Sequence, residues 1–257
     1  VTVSLIDHHT NLINPDLLKH DFNKSNEPNL FNAFPSGINS SERLENACLD
    51  SLLTEMDLCG IEKSVSYGLP CIKMRNCIKS NNYLIDCVKN SKRIIGVPVV
   101  NCLSKGAIDE IKRCHENGLK GVHLKLSWQN NSFSKVLNNN KFWKFLEEGS
   151  IPIYFHCSHA IDNKIDCPYN IIQLKKRFPG LRLVLEHLGG GLFIYMKYKP
   201  IKKFFADTYF TSAVPRSLYM ISYAKRILGD KLLFGSDYPF NDKICQKFYL
   251  ESFQNCV

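Results

Sequence analysis

Long apolar runs are missing from this sequence. No stretch of about 18 apolar residues occurs, the length a helix needs to cross a bilayer, so no membrane span is expected. The first residues lack the basic segment of a secretory signal, and Val1 to His9 reads as a strand. No GxGxxG follows that strand, which argues against a dinucleotide-binding fold. Eleven cysteines are present, yet none form a CxxC pair or a repeated framework. That argues against a disulfide scaffold, leaving reduced thiols used as small hydrophobes, as in a cytoplasmic protein. The net charge is +9, but the basic residues are scattered, with Lys197, Lys199, Lys202 and Lys203 the densest run. No RNA-binding motif with interleaved aromatics accompanies them, so a nucleic-acid partner is not expected. A solvated basic surface is the first reading of this charge, and a small anionic substrate is the second.

What is present is an alternation of strand and helix patterns along the whole chain. Strands are expected at 3–9, 64–68, 94–100, 121–126, 151–156, 181–187, 209–212 and 231–237, the third with an irregular end at Pro98. Helices are expected at 41–59, closed by Gly60, and at 74–89, 105–116, 141–148, 169–177, 215–228 and 242–253, with a poorly patterned helical stretch over 191–205. Eight strand–helix units imply a parallel sheet with right-handed crossovers, closed as a single-domain (β/α)₈ TIM-type barrel over residues 1–257. The segment 11–40 is read as one long loop over the active face.

Catalytic groups in such a barrel project from the carboxyl ends of the strands. Four strands here end in residues that bind metals: His9, His156, His187 and Asp237. A single histidine at a strand end is more often a hydrogen-bonded core residue. Three imidazoles and a carboxylate at one level suit Zn²⁺ or a similar divalent ion. Alternation puts Asp7, His9 and Asn11 on one face of the first strand, and puts His123 and Lys125 together on the interior face of the fourth. The same reasoning sends Glu186 towards the helices, where pairing with a nearby Lys or Arg is the only role found for it. Cys157, beside His156, is taken as packing. His159 is either a substrate contact or a surface residue.

At these residues the chain resembles the amidohydrolase superfamily, in its amidohydrolase-2 branch, which contains hydrolases and also aminocarboxymuconate-semialdehyde and resorcylate-type decarboxylases. Leu5 to Asn11 is similar to the family's I-D-x-H-x-H, Met56 to Lys63 to M-D-x-x-G-I-D-K, Gly118 to Val122 to G-x-K-G-V, Ile151 to His156 to P-V-x-I-H, Val184 to Gly190 to L-V-x-x-H-L-G-G, and Phe234 to Pro239 to F-G-S-D-Y-P. The resemblance implies that His9, His156 and Asp237 hold a divalent metal, that Asp237 also shuttles a proton, and that His187 polarises substrate or water. Three departures stand out. Asn11 occupies the place of the second histidine of H-x-H, an amide oxygen being a weaker zinc donor than an imidazole. The fourth strand reads His123-Leu124-Lys125, where the branch more often shows Lys then His. The usual N-A-x-x-L helix does not follow the last barrel unit.

The activity expected is hydrolysis of a small cyclic or acidic molecule, with Asp237 and His187 catalytic, a metal at His9, His156, Asp237 and Asn11, and substrate contacts from Lys125, His123 and His159. Non-oxidative decarboxylation is the alternative, as are a metal-free site, a carboxylated Lys125 bridging two ions, and a catalytically silent barrel. Self-association into a homodimer is left open.

Overall fold

The computed structural model describes residues 5–18, 44, 46–129, 131–158, 165–213, 218–240, 250 and 253. Eight parallel strands succeed one another in chain order: β1 (Ile6–Asn11), β2 (Lys63–Tyr67), β3 (Ile94–Val97), β4 (Val122–Leu124), β5 (Ile153–Phe155), β6 (Leu183–Leu185), β7 (Tyr209–Thr211) and β8 (Leu232–Leu233). They pair as a three-stranded sheet, β1-β2-β3, and a five-stranded sheet, β4 to β8. Backbone contacts join the two sheets at both seams. Between β3 and β4, Val99 bridges His123 and the His123 N–H donates to the Pro98 carbonyl at 2.8 Å. Between β8 and β1, Thr10 bridges Tyr238, and His8 N–H donates to Phe234 O at 2.8 Å. The fold is the α/β barrel that the alternation implies.

The barrel has two apolar layers, as alternating strand residues require. Leu124, Phe155, Leu183, Leu185 and Phe210 face outward and pack on Trp143, Leu174 and Phe178 of the surrounding helices. Val65, Tyr67 and Val97 face inward with Ile6, Ile95 and Tyr154 and fill the barrel floor. The helices are amphipathic at the expected spacing. In the helix Met74–Asn90, Cys77, Ser80, Leu84 and Cys87 are buried at steps of three and four residues.

Several expected boundaries shift. The first long helix runs from Leu49 to Cys59, not from residue 41, because Cys48 is extended (φ −103°, ψ 166°); Gly60 (φ 68°) closes it in the left-handed conformation that favours glycine. Asn11 is the last residue of β1, not the start of a loop, and a short helix, Pro15–Leu18, follows. The rest of the expected loop, 19–40, lies outside the described residues, as does nearly all of the expected helix 242–253. Strand β3 stops at Val97 because Pro98 has no N–H to give the ladder. The buried Asn81 takes over beyond it, its Oδ1 accepting the Val99 N–H at 2.8 Å and its Nδ2 donating to Val99 O at 2.9 Å. The stretch 191–205 divides into a 3₁₀ segment, Leu192–Lys197, and a helix, Lys199–Phe204. A helix at Phe133–Leu137, unmarked by any sequence signal used above, precedes the expected Asn140–Glu148 helix. No helix among the described residues is long and apolar enough to cross a membrane.

Candidate active site

Each site residue is held by a distinct local device at the carboxyl end of its strand. The register of β1 shifts between Asp7 and Thr10. Asp7 fixes this irregular stretch, its Oδ1 accepting N–H bonds from His9 and from Ser236, both at 3.0 Å. That carboxylate ties β1 to the segment after β8, and burial raises its pKa to about 6. Gly235 is required beside it, since a Cβ there would lie 2.8 Å from the His9 Cβ. His156 directly follows β5, its N–H donating to Leu124 O at 2.9 Å.

His187 reaches the site by a less usual route. His187, Leu188, Gly189 and Gly190 carry φ values of 51°, 53°, 65° and 62°, one turn of left-handed backbone. For the two non-glycine residues this costs about 2–4 kcal/mol in all. Burial of Leu188 recovers about 1.5–3 kcal/mol. The Gly189 N–H bond to Glu186 O at 2.8 Å closes the turn. Gly190 admits no side chain, because a Cβ would sit 2.0 Å from Ser158 O. Asp237 is also left-handed, at φ 59°.

The imidazoles share one pattern. Nδ1 of His156 lies 2.8 Å from Asp166 Oδ2, Nδ1 of His187 bonds to the Ala213 carbonyl, and Nδ1 of His9 lies 3.4 Å from Thr211 Oγ1. A carbonyl only accepts, so His187 donates from Nδ1. Burial holds His187 below the usual imidazole range, with the charge on His9 acting in the same direction. Its Nε2 therefore carries a lone pair. Burial and Lys125 lower the His156 pKa to about 3, so its Nε2 is also a lone-pair donor. This is the arrangement by which metal-ligating histidines are fixed in tautomer and direction. The three rings cluster, with centroids 5.1 Å apart for His9–His187 and 4.9 Å for His156–His187.

Two carboxylates face these rings. Asp237 Oδ1 is 3.1 Å from His9 Nε2, and Glu186 Oε2 is 3.7 Å from the same atom. Burial works against the charged form of His9, but Glu186 and Asp237 outweigh it and raise its pKa. Burial likewise opposes ionisation of Asp237, but His9, His187 and Lys125 hold it below the usual carboxylate range. The protein thus keeps positive charge between the buried Glu186 and the half-buried Asp237, a place suited to a divalent cation. Donor atoms of His9, Glu186 and His187 lie within 4.8 Å of one another, and this set of imidazoles and carboxylate fits such an ion.

Of the residues singled out in the sequence, His9, His156, His187, Asp237 and Asn11 come together. Asn11 Nδ2 donates to Tyr238 O at 3.1 Å and approaches Asp237 Oδ1 at 3.5 Å. Lys125 stands at the edge of this group, half-buried, its Nζ 3.7 Å from the Trp128 ring centroid. His123 is deeper, 3% exposed and stacked on Tyr67 at 4.4 Å. His159 lies outside the described residues. Cys157 is buried, and burial raises its thiol pKa well above the ordinary value, as suits a packing residue.

Glu186 corrects the expectation drawn from alternation. It does not face the helices: it is 1% exposed, and its Oε1 lies 3.2 Å from His123 Nε2 inside the barrel. Leu183 and Leu185 face the helices, so Glu186 keeps the inward parity of β6, and the left-handed turn brings His187 inward as well. Asp166 and Tyr67 are two more residues that sequence reasoning missed. Asp166 orients His156 from a loop without a recognisable motif, and Tyr67, central to the barrel floor, looks like any other strand aromatic.

Comparison with known proteins bears on the family and the fold. The amidohydrolase family profile matches residues 76–254. No curated protein sequence matches the chain. Among solved structures, 2,6-dihydroxybenzoate decarboxylase from Rhizobium is similar with a TM-score of 0.73 and 17% identity, over 99% of this chain and 93% of that one. A protein from Acinetobacter baumannii assigned as a 2-pyrone-4,6-dicarboxylic acid hydrolase, with citric acid bound, gives 0.60 and 15%, over 99% and 96%. An amidohydrolase from Burkholderia multivorans with bound HEPES gives 0.62 and 14%, over 98% and 90%. At these identities the likeness speaks to the fold, and the family rests on the profile together with the strand-end motifs. The chain belongs to the amidohydrolase family, in its amidohydrolase-2 branch, a family of enzymes that usually bind a divalent metal.

Proposed function

We propose that this chain is a metal-dependent hydrolase of a small cyclic or acidic molecule. The observation that carries the reading is the shared orientation of the clustered His9, His156 and His187, each tied at Nδ1, with the half-buried Asp237 beside His9. His9, His156 and Asp237 hold the ion in this reading, with His187 contributing the Nε2 lone pair that its carbonyl bond leaves free. A divalent ion such as Zn²⁺ supplies Lewis acidity, polarising a carbonyl and lowering the pKa of water towards neutrality.

The protein groups supply the remaining steps. Lys125 attracts the substrate carboxylate, and the Trp128 ring beside it offers a flat apolar surface. Asp237, ionised and next to His9, accepts the proton of the attacking water and returns it to the leaving group. Asn11, donating to Tyr238 O and facing Asp237, limits the orientations open to that carboxylate. Free cysteines throughout the described residues support a reducing, cytoplasmic setting.

Decarboxylation is the second reading, and the pairing of Lys125 with Trp128 favours it for an aromatic carboxylate. Turnover of lactones, cyclic amides and aromatic carboxylates in ¹⁸O-labelled water separates the two by mass spectrometry. Label in the product is the expected result. Release of CO₂ without label uptake overturns hydrolysis, and Asp237→Asn abolishes either activity.

A further inference from the structure

Glu186 is a buried carboxylate with no role in the steps above. Removing a charged group from water costs several kcal/mol unless the protein compensates it with aligned hydrogen bonds or a close counter-ion. Glu186 is 1% exposed, and the groups that offset its burial are imidazoles: its Oε1 pairs with His123 Nε2 at 3.2 Å, an approach without ideal hydrogen-bond alignment. A carboxylate kept only for packing would be expected to end on an Arg fork or on backbone N–H groups, as Glu110 ends on Arg113 and Asn81 elsewhere in this chain. Glu186 instead faces imidazoles, with Oε2 3.7 Å from His9 Nε2 and a donor atom within 4.8 Å of that of His187.

Asn11 supplies the second observation. It stands where the family pattern has a second β1 histidine. Its amide N–H₂ is committed to Tyr238 O and faces Asp237, so that it acts as a donor towards a carboxylate. The β1 position thus offers no imidazole lone pair, while one strand end supplies an anionic oxygen next to the same His9.

We propose that Glu186 is a metal ligand of this chain, taking over from β6 the place that Asn11 leaves on β1, and that His123 is the positioning residue that steers the Glu186 carboxylate. The ring of His123 is itself held by its stack on Tyr67, at 4.4 Å and 13°. An exchange of imidazole for carboxylate makes the site harder and lowers its net charge by one, favouring oxygen-preferring ions such as Mn²⁺ relative to a three-histidine set.

The inference rests on the metal-site reading of the preceding section, and the test keeps the two apart. Zn²⁺ affinity is measured by chelator competition for the wild-type chain, Glu186→Gln, Asn11→Ala and His123→Ala, and the visible spectrum of the Co²⁺-loaded proteins is recorded. Glu186→Gln is expected to weaken Zn²⁺ binding by more than about a hundredfold, beyond the loss typical of outer residues, and His123→Ala by about 10–100-fold. Asn11→Ala, which removes only a group that orients Asp237, is expected to weaken it by about tenfold at most and to leave the Co²⁺ spectrum unaltered. If Glu186→Gln fails to fold, Glu186→Asp decides the matter: the shorter carboxylate shifts the Co²⁺ bands if residue 186 is a ligand and leaves them in place if it is not. Full Zn²⁺ affinity in Glu186→Gln, or loss of binding in Asn11→Ala alone, overturns the inference and leaves the metal site standing. A wild-type chain that binds no ion removes both.

Discussion

Removing Asp166 is the most informative perturbation of this site, because Asp166 reaches the clustered imidazoles through His156. Its Oδ2 lies 2.8 Å from His156 Nδ1 and 2.7 Å from the Ser127 hydroxyl, and its Oδ1 accepts from Ser158. It is fully buried, and although burial opposes its ionisation, the bonds from His156, Ser158 and Ser127 hold it below the usual carboxylate range. A hydrogen bond to a charged group contributes about 1.5–3 kcal/mol, and loss of a residue that orients a metal-bound histidine costs about 10–100-fold in affinity. The two figures agree, since 10–100-fold corresponds to about 1.4–2.8 kcal/mol. Asp166→Asn keeps the shape and an acceptor oxygen for His156, so about a tenfold loss of Zn²⁺ affinity is expected. Asp166→Ala leaves the ring free to turn and the two serine hydroxyls without their acceptor, so about a hundredfold loss is expected. Chelator competition measures both, with circular dichroism confirming the fold. Unchanged affinity in a folded Asp166→Ala protein refutes the reasoning that the Nδ1 bonds orient the ligand set.

Three further outcomes follow from other parts of the structure. Gly190→Ala forces a Cβ to within 2.0 Å of Ser158 O at a left-handed position and is expected to destabilise the protein by at least about 2 kcal/mol in thermal unfolding; an unchanged Tm contradicts the close approach. Burial opposes ionisation of Glu110, but Arg113 and Asn81 depress its folded-state pKa, so its stabilisation is present above the unfolded value near 4.3 and is lost as pH falls through the folded value. In urea titrations the stability gap between wild type and Glu110→Gln therefore narrows below about pH 4, and a constant gap argues against the shift. Lys125→Ala is expected to raise KM for a carboxylate substrate about tenfold or more and to leave an uncharged analogue unaffected, a contrast visible in steady-state kinetics; equal effects on both contradict the anion-binding role.

The barrel was legible because its signals are periodic. Apolar strands at regular spacing, Gly60 closing a helix and the segment Phe234 to Pro239 each point the same way. The strand-end histidines were legible because their chemistry is unusual at that spacing. What stayed hidden depends on exceptions to periodicity. Alternation puts Glu186 on the wrong face because it makes His187 the inward residue of β6, and nothing in the sequence announces that His187 reaches the interior through a left-handed turn. The glycines that permit that turn are visible, but a Gly-Gly pair equally fits an ordinary loop. Asp166 comes from a loop ten residues after His156, and only the folded chain brings them together. The role of Asn81 could not be read either, because a polar residue in a helix stripe looks like a break in the pattern until the strand ending at Val97 leaves Val99 in need of partners.

The central claim is that His9, His156, His187 and Asp237 form a metal site, and elemental analysis tests it most directly. Protein purified without chelators and then equilibrated with Zn²⁺ is predicted to hold about one ion per chain, with His156→Ala losing most of it. The same low metal content in both proteins, each shown to be folded, contradicts the account.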